Sequence, residues 1–200
     1  MRDLKDRIAA RIRAKGRGQV YISKDFLDLG SRAAVDQALS RMVKDKIIRR
    51  IGRGIFDYPR TNARLGIELS PDPDLVAQAV ARGRGGHFQP SGAVAANDLG
   101  LSTQVPGNSV YLTDGSSGKI RLGKQTITLK HVSPKRLGSG DKVMGPVLQA
   151  LYFIGKDGLT DDVVSRLRST LSPQDRKKLL LQGRYAVGWL AEAAQKVAKD

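Results

Sequence analysis

The chain has 200 residues and a mass of 21.7 kDa, with 40% hydrophobic and 27% charged residues, room for one large domain or two small ones around a real core. Its 35 Lys+Arg against 19 Asp+Glu leave a formal charge of +16 and a pI near 10.4, which favours a polyanionic partner, nucleic acid or an anionic membrane face. With no cysteine and only two histidines, His87 and His131, the composition excludes disulfides, cysteine-held zinc or iron–sulfur centres, thiol catalysis and a multi-histidine metal site. No run of ~18 apolar residues is present to span a bilayer. Met1-Arg2-Asp3-Leu4-Lys5 alternates charge too quickly for a signal peptide, so a cytoplasmic protein without membrane contact is expected. The charge is uneven: residues 1–60 hold 16 Lys+Arg and 7 Asp+Glu, net +9, against +4 for 61–143 and +3 for 144–200. That asymmetry marks the N-terminal segment as the electrostatic footprint on a phosphate backbone.

In chain order, Leu4, Ile8 and Ile12 at i, i+4 and i+8 predict an amphipathic helix that Gly16-Arg17-Gly18 stops. Gln19-Val20-Tyr21-Ile22 suits a brief strand, and Ser23 is a candidate N-cap for a short helix, Lys24 to Leu29. Gly30 makes a turn, Ser31 is a second N-cap candidate, and the chain reads helical from Arg32 to about Lys44 with Val35, Ala38, Leu39, Met42 and Val43 inward. Two short β runs, Ile47–Ile51 and Ile55–Pro59, flank Gly52-Arg53-Gly54 and predict a hairpin with a cationic tip.

Helix, strand, helix, tight turn, helix, hairpin is the order of a winged helix-turn-helix over residues 1–60. The second helix of such a motif fits the ~12 Å major groove and offers its first residues to base edges. Ser31, Arg32, Ala33, Gln37 and Arg41 are the candidate DNA-binding residues there. Ser31 and the free N–H groups suit a phosphate, whereas Arg32, Gln37 and Arg41 carry the forked or amide donors that base readout needs. Arg53 at the hairpin tip suits a flanking phosphate or minor groove, and Arg49 and Arg50 add non-specific charge.

Arg60–Arg64 reads as a link and Leu65–Leu69 as an extended run. Pro71 and Pro73 with Asp72 and Asp74 open a helix carrying Leu75, Val76, Ala79 and Val80, broken at Gly83-Arg84-Gly85-Gly86. An alanine-rich stretch, Ala93–Leu99, follows. Then come three β runs, 110–113, 119–122 and 125–132, the last two alternating as in a half-buried antiparallel sheet.

Gln89-Pro90-Ser91-Gly92-Ala93, Ala95-Ala96-Asn97, Leu99–Pro106 and Tyr111–Gly115 are similar to AbiEi-family antitoxins of type IV toxin–antitoxin systems. Asp28–Leu39 and Ile48–Gly54 resemble that family's DNA-binding half, so the likeness covers roughly residues 15–155. It implies a winged-helix repressor of its own operon, active in phage defence, paired with a nucleotidyltransferase-like toxin and neutralising it through a second domain. Members of that family often carry a larger C-terminal domain than this chain has.

No catalytic centre is legible. Ser91-Gly92 lacks the leading glycine of a nucleophile elbow, the glycine-flanked Arg17 and Arg84 fall short of a phosphate-loop fingerprint, and no acid stands on the third strand beside Lys130. Asp114 and Asp141 read as loop residues and Asp161-Asp162 as acids at a helix start; no cofactor or metal is expected. Beyond the loop at Pro134-Lys135-Arg136 and Gly138-Ser139-Gly140, helices are predicted at Met144–Ile154, after Thr160, after Ser172-Pro173 and over Tyr185–Val197. The expected class is α+β: a winged helix-turn-helix at 1–60, then an AbiEi-like domain at 65–200 with a sheet at about 108–132 and a helical tail at 144–200. The expected activity is binding of double-stranded operator DNA, with cooperative binding or dimerisation on it. The alternatives are an antitoxin acting mainly by direct contact with its toxin, and an RNA-binding module, for which 5% aromatic residues leave little stacking surface.

Overall fold

A computed structural model describes residues 3–103, 108–137, 143–183 and 188–198 and is α+β. Gln104-Val105-Pro106, Gly138-Ser139-Gly140, Asp141 and the Tyr185–Val187 start of the last predicted helix lie outside the described residues. The chain divides into two compact units, Met1–His87 with Gly118–Ile127, and Phe88–Ser117 with Thr128–Asp200.

In the first unit, α1 (Leu4–Lys15) buries Ile8, Ala9 and Ile12 and ends at Gly16, whose φ of 81° carries the chain out of the helix. The strand β1 (Val20–Ile22) leads into a 3-10 turn, Ser23–Phe26. Ser23 is not its cap: the Asp25 carboxylate accepts from the Ile22 N–H at 2.9 Å, and Ser23 is itself buried. A carboxylate reaching back three residues satisfies the backbone donor ahead of the turn, a different N–H from those a serine cap would take. Next comes α2 (Arg32–Lys44), capped by Ser31, whose Oγ accepts from the Ala34 N–H at 3.4 Å. It buries Val35, Ala38, Leu39 and Met42, and leaves Val43 half-buried.

Two further strands, β2 (Arg49–Gly52) and β3 (Ile55–Asp57), form a hairpin, and β1 pairs antiparallel with the other edge of β3. The register shifts between Arg50 and Gly52, and Gly54 turns the loop at φ 69°. Ile8, Ile12, Tyr21, Phe26, Val35, Leu39, Met42, Ile48 and Phe56 make one core joining α1, α2 and the sheet. Each such side chain contributes about 1.5–3 kcal/mol by leaving water. The Tyr21 hydroxyl donates to the Ile12 carbonyl at 3.3 Å, and burial pushes its pKa up to about 12.

The expected link at 60–64 is partly ordered, because β4 (Thr61–Asn62) pairs with β5 (Ile67–Glu68). The helix α3 (Pro73–Gly83) starts as its prolines and acids predict, with Asp72 accepting from the Asp74 N–H at 2.9 Å. Arg82 grips Asp25 through two bonds of 2.9 Å, and Lys24 Nζ donates to the Gly83 carbonyl at 2.7 Å. These bonds draw α3 onto the 3-10 turn and carry the first unit past residue 60.

The second unit opens with β6 (Phe88–Pro90) and α4 (Gly92–Asp98). The strand was not legible in sequence, since three residues ending in proline carry no alternation; it pairs with β7 (Asn108–Thr113). With β8 (Gly118–Leu122) and β9 (Gln125–His131) these complete a sheet in the order β6-β7-β9-β8, of which β8 and the first three residues of β9 group with the first unit. A short α5 (Pro134–Leu137) stands where a loop was expected. Helices α6 (Met144–Ile154), α7 (Asp161–Thr170), α8 (Pro173–Gly183) and α9 (Gly188–Ala198) follow. Met144, Val147, Leu151, Leu167, Leu179 and Leu190 are its principal core residues. Gly92 admits no side chain, because a Cβ there would meet the Gln149 carbonyl and Phe153 of α6.

Candidate nucleic-acid interface

The exposed face of α2 follows from its buried one. Val35, Ala38, Leu39 and Met42 face the core, so Arg32, Ala33, Gln37, Arg41 and Lys44 face solvent. Arg32 and Arg41 are nine residues apart, about 2.5 turns at 3.6 residues per turn, so they lie at opposite rims of that face with Ala33 and Gln37 between. Helix geometry leaves the Arg32 and Ala33 N–H groups without an intrahelical carbonyl, at the positive end of the helix dipole. Ser31 sits at that end as the cap.

Arg32 Nε binds the Asp36 carboxylate at 2.8 Å one turn along the helix. The Ser23 hydroxyl, then Arg32 and the charge of Arg50, hold the Asp36 carboxyl below the usual carboxylate range, so Asp36 is ionised at neutral pH. Ser23 Oγ is itself sealed from solvent.

The hairpin divides its three arginines. Arg53 is exposed in the two-residue turn beside Gly54. Arg50 is exposed and lies over the Phe56 ring, 5.1 Å from its centre, an arrangement that restrains the guanidinium without neutralising it. Arg49 departs from the sequence expectation. Its Nε and Nη2 clamp Asp57 at 3.0 and 2.6 Å, Nη1 reaches Glu68 at 3.4 Å, and Nη2 also donates to the Leu69 carbonyl at 2.9 Å. Asp57 is only 1% exposed, so Arg49 serves as counter-ion to a buried carboxylate, and its charge is spent inside the fold. Alternation along β2 separates the two: Arg49 and Arg50 point to opposite faces.

Arg32 and Arg53 come together. With Lys24, Arg84 and Ser23 they line a concavity of about 220 Å³, completed by Gly54 and apolar side chains of β1, β3 and α3. Arg41 is not part of it. Lys24 and Arg84 are cations that the sequence reading left out of the site, although the glycines around Arg84 were a usable signal of a close approach. Neither His87 nor His131 contributes: His87 is exposed, and His131 Nδ1 lies 2.9 Å from the Gly115 carbonyl in the second unit. Ser91 sits at the N-cap position of α4, and Asp161 and Asp162 occupy the first turn of α7. Among the described residues no three His, Asp or Glu side chains cluster to hold a metal ion, and no helix is long and apolar enough to cross a membrane.

The first unit is thus an α+β module whose outer helix and hairpin turn carry unneutralised arginines. The chain belongs to a family of unknown function (DUF6088), whose model matches residues 7–179. Neither the curated proteins nor the solved structures give a match.

Proposed function

We propose that the first unit is a winged helix-turn-helix that binds double-stranded operator DNA, and that the chain is an AbiEi-like antitoxin repressing its own operon. In this reading α2 enters the major groove, whose ~12 Å width matches a helix of 10–12 Å with side chains. Arg32, Gln37 and Arg41 face base edges, Ser31 and the α2 N–H groups meet a phosphate, and Arg50 and Arg53 follow the flanking backbone. The chain acts by binding, without catalysis. The observation that carries the reading is the pairing of α2's exposed Arg32, Gln37 and Arg41 with the exposed Arg53 of the adjoining hairpin turn. A footprint on the DNA upstream of the chain's own gene tests it. Protection of a discrete site, repeated if two copies bind together, is expected; uniform protection at every concentration would refute operator recognition.

A second reading, direct capture of a nucleotidyltransferase-like toxin, is favoured by exposed apolar side chains in the second unit: Tyr152 and Phe153 on α6 and Leu181 on α8. A stoichiometric complex on co-purification with the neighbouring gene product would support it.

A further inference from the structure

We infer that the concavity lined by Lys24, Arg32, Arg53 and Arg84 is an oxyanion site that takes one phosphate group. The inference deepens the DNA-binding reading, but it rests on the pocket and stands or falls by its own measurement.

Four cationic side chains arrive there from four elements: the 3-10 turn, the start of α2, the hairpin turn and the end of α3. One of the four, Arg32, is bonded to Asp36. Like charges gathered around one small space repel, and an anion in that space relieves the repulsion. The surroundings are organised for this before any ligand arrives. Lys24 is tethered to the Gly83 carbonyl, which also satisfies the negative end of α3 at the pocket wall. The Arg84 guanidinium lies against Gly118 of β8, in space that a Cβ there would enter. Arg32 is the first residue of α2, so the dipole of that helix adds to the positive field at the pocket.

Volume selects the ligand's size. About 220 Å³ lies below the ~300–1,000 Å³ of pockets that enclose a whole drug-sized molecule. The space therefore suits one tetrahedral oxyanion projecting from a larger body. A DNA backbone diester and a free phosphate or phosphomonoester share that chemistry.

The test uses the full chain and two probes, inorganic phosphate followed by amide NMR, and duplex DNA followed by gel shift across a salt series. In the wild type, phosphate should shift the amides of Ser31–Ala33 and Arg53–Gly54. Arg53→Ala and Arg84→Ala should abolish those shifts, Arg84→Lys should retain part of them, and Arg41→Ala, outside the pocket, should leave them intact. If the occupant is backbone phosphate, Arg53→Ala and Arg84→Ala should also weaken DNA binding equally on all sequences and reduce the salt slope by about one. If it is a free phosphate group, the amide shifts are lost while the DNA salt slope is unchanged. The site is refuted if phosphate moves none of these amides and both variants keep the wild-type salt slope. Should Arg41→Ala still impair DNA binding in that case, the winged-helix reading survives the loss of the pocket. Arg53 lies in an exposed turn, so its variant remains informative even if Arg84→Ala unfolds.

Discussion

The cations that pack α1 and α3 onto the fold and the arginines of α2 and the hairpin, Arg49 apart, are chemically alike but serve opposite ends. On the first flank, Arg11 grips Asp28 through two bonds of 2.7 and 2.6 Å, Lys5 pairs with Asp45, and Arg82 of α3 grips Asp25. Arg17 lies 4.6 Å from the centre of the Tyr58 ring and donates to the Pro59 carbonyl. On the second flank, Arg41, Arg50 and Arg53 have no carboxylate partner among the described residues, and Arg32 shares its charge with Asp36. Net charge along the chain therefore overstates the footprint. The working charge is what remains after the fold has paired its own.

That contrast can be broken by experiment. The largest effect is expected where a cation is spent inside the fold: Arg49→Ala leaves Asp57 buried without its counter-ion and should cost about 2–3 kcal/mol in urea unfolding. A loss below ~0.5 kcal/mol would place Arg49 with the surface cations instead. Next is Arg41→Ala, which should leave the urea midpoint unchanged but cost about 1–3 kcal/mol at one base pair of the operator, read by gel shift on single-base variants. Equal losses on operator and random DNA would remove Arg41 from base readout. Ser31→Ala should cost about 1 kcal/mol of stability through the lost cap, a small effect on folding set beside a phosphate contact on DNA.

The smallest effect is expected from Asp36→Asn, which frees Arg32 and removes a negative charge from the proposed DNA face; a few-fold gain in DNA affinity at low salt, fading as salt rises, is the outcome to look for. Its pH dependence has a definite sign. Because the folded-state pKa of Asp36 lies below 3.8, the stability contributed by its bond to the Ser23 hydroxyl and its ion pair with Arg32 is present above that pH and is lost as pH falls through the lower folded value. Acid unfolding of wild type should show that component, and Asp36→Asn should lack it.

Much of the first unit was legible because each signal was local. Ser31 before an apolar i, i+3, i+4 pattern set the start of α2, and Gly16 and Gly54 set turns that only a positive φ permits. In the second unit, Thr160 and Gly155 marked a helix start and a helix stop in the same way. What stayed hidden depends on residues far apart in sequence. Arg49 and Arg50 are neighbours of one type, and only pairing with Asp57 and Glu68 separates the clamp from the surface charge. Arg84 lies outside the most basic third of the chain and reaches the pocket because α3 folds back onto the 3-10 turn through Arg82 and Lys24. The β6 strand was missed because a three-residue edge ending in proline has no period to detect.

One feature of the chain path bears on how the protein can be dissected. Residues 118–127 group with the amino-terminal unit although thirty residues of the other unit precede them. No single cleavage or stop codon can therefore release the amino-terminal unit whole. A fragment ended at His87 would lack the strand that meets Arg84 at Gly118. Isolated-fragment DNA-binding assays would then report on an incomplete pocket, and a weak result from such a fragment would describe the cut more than the protein.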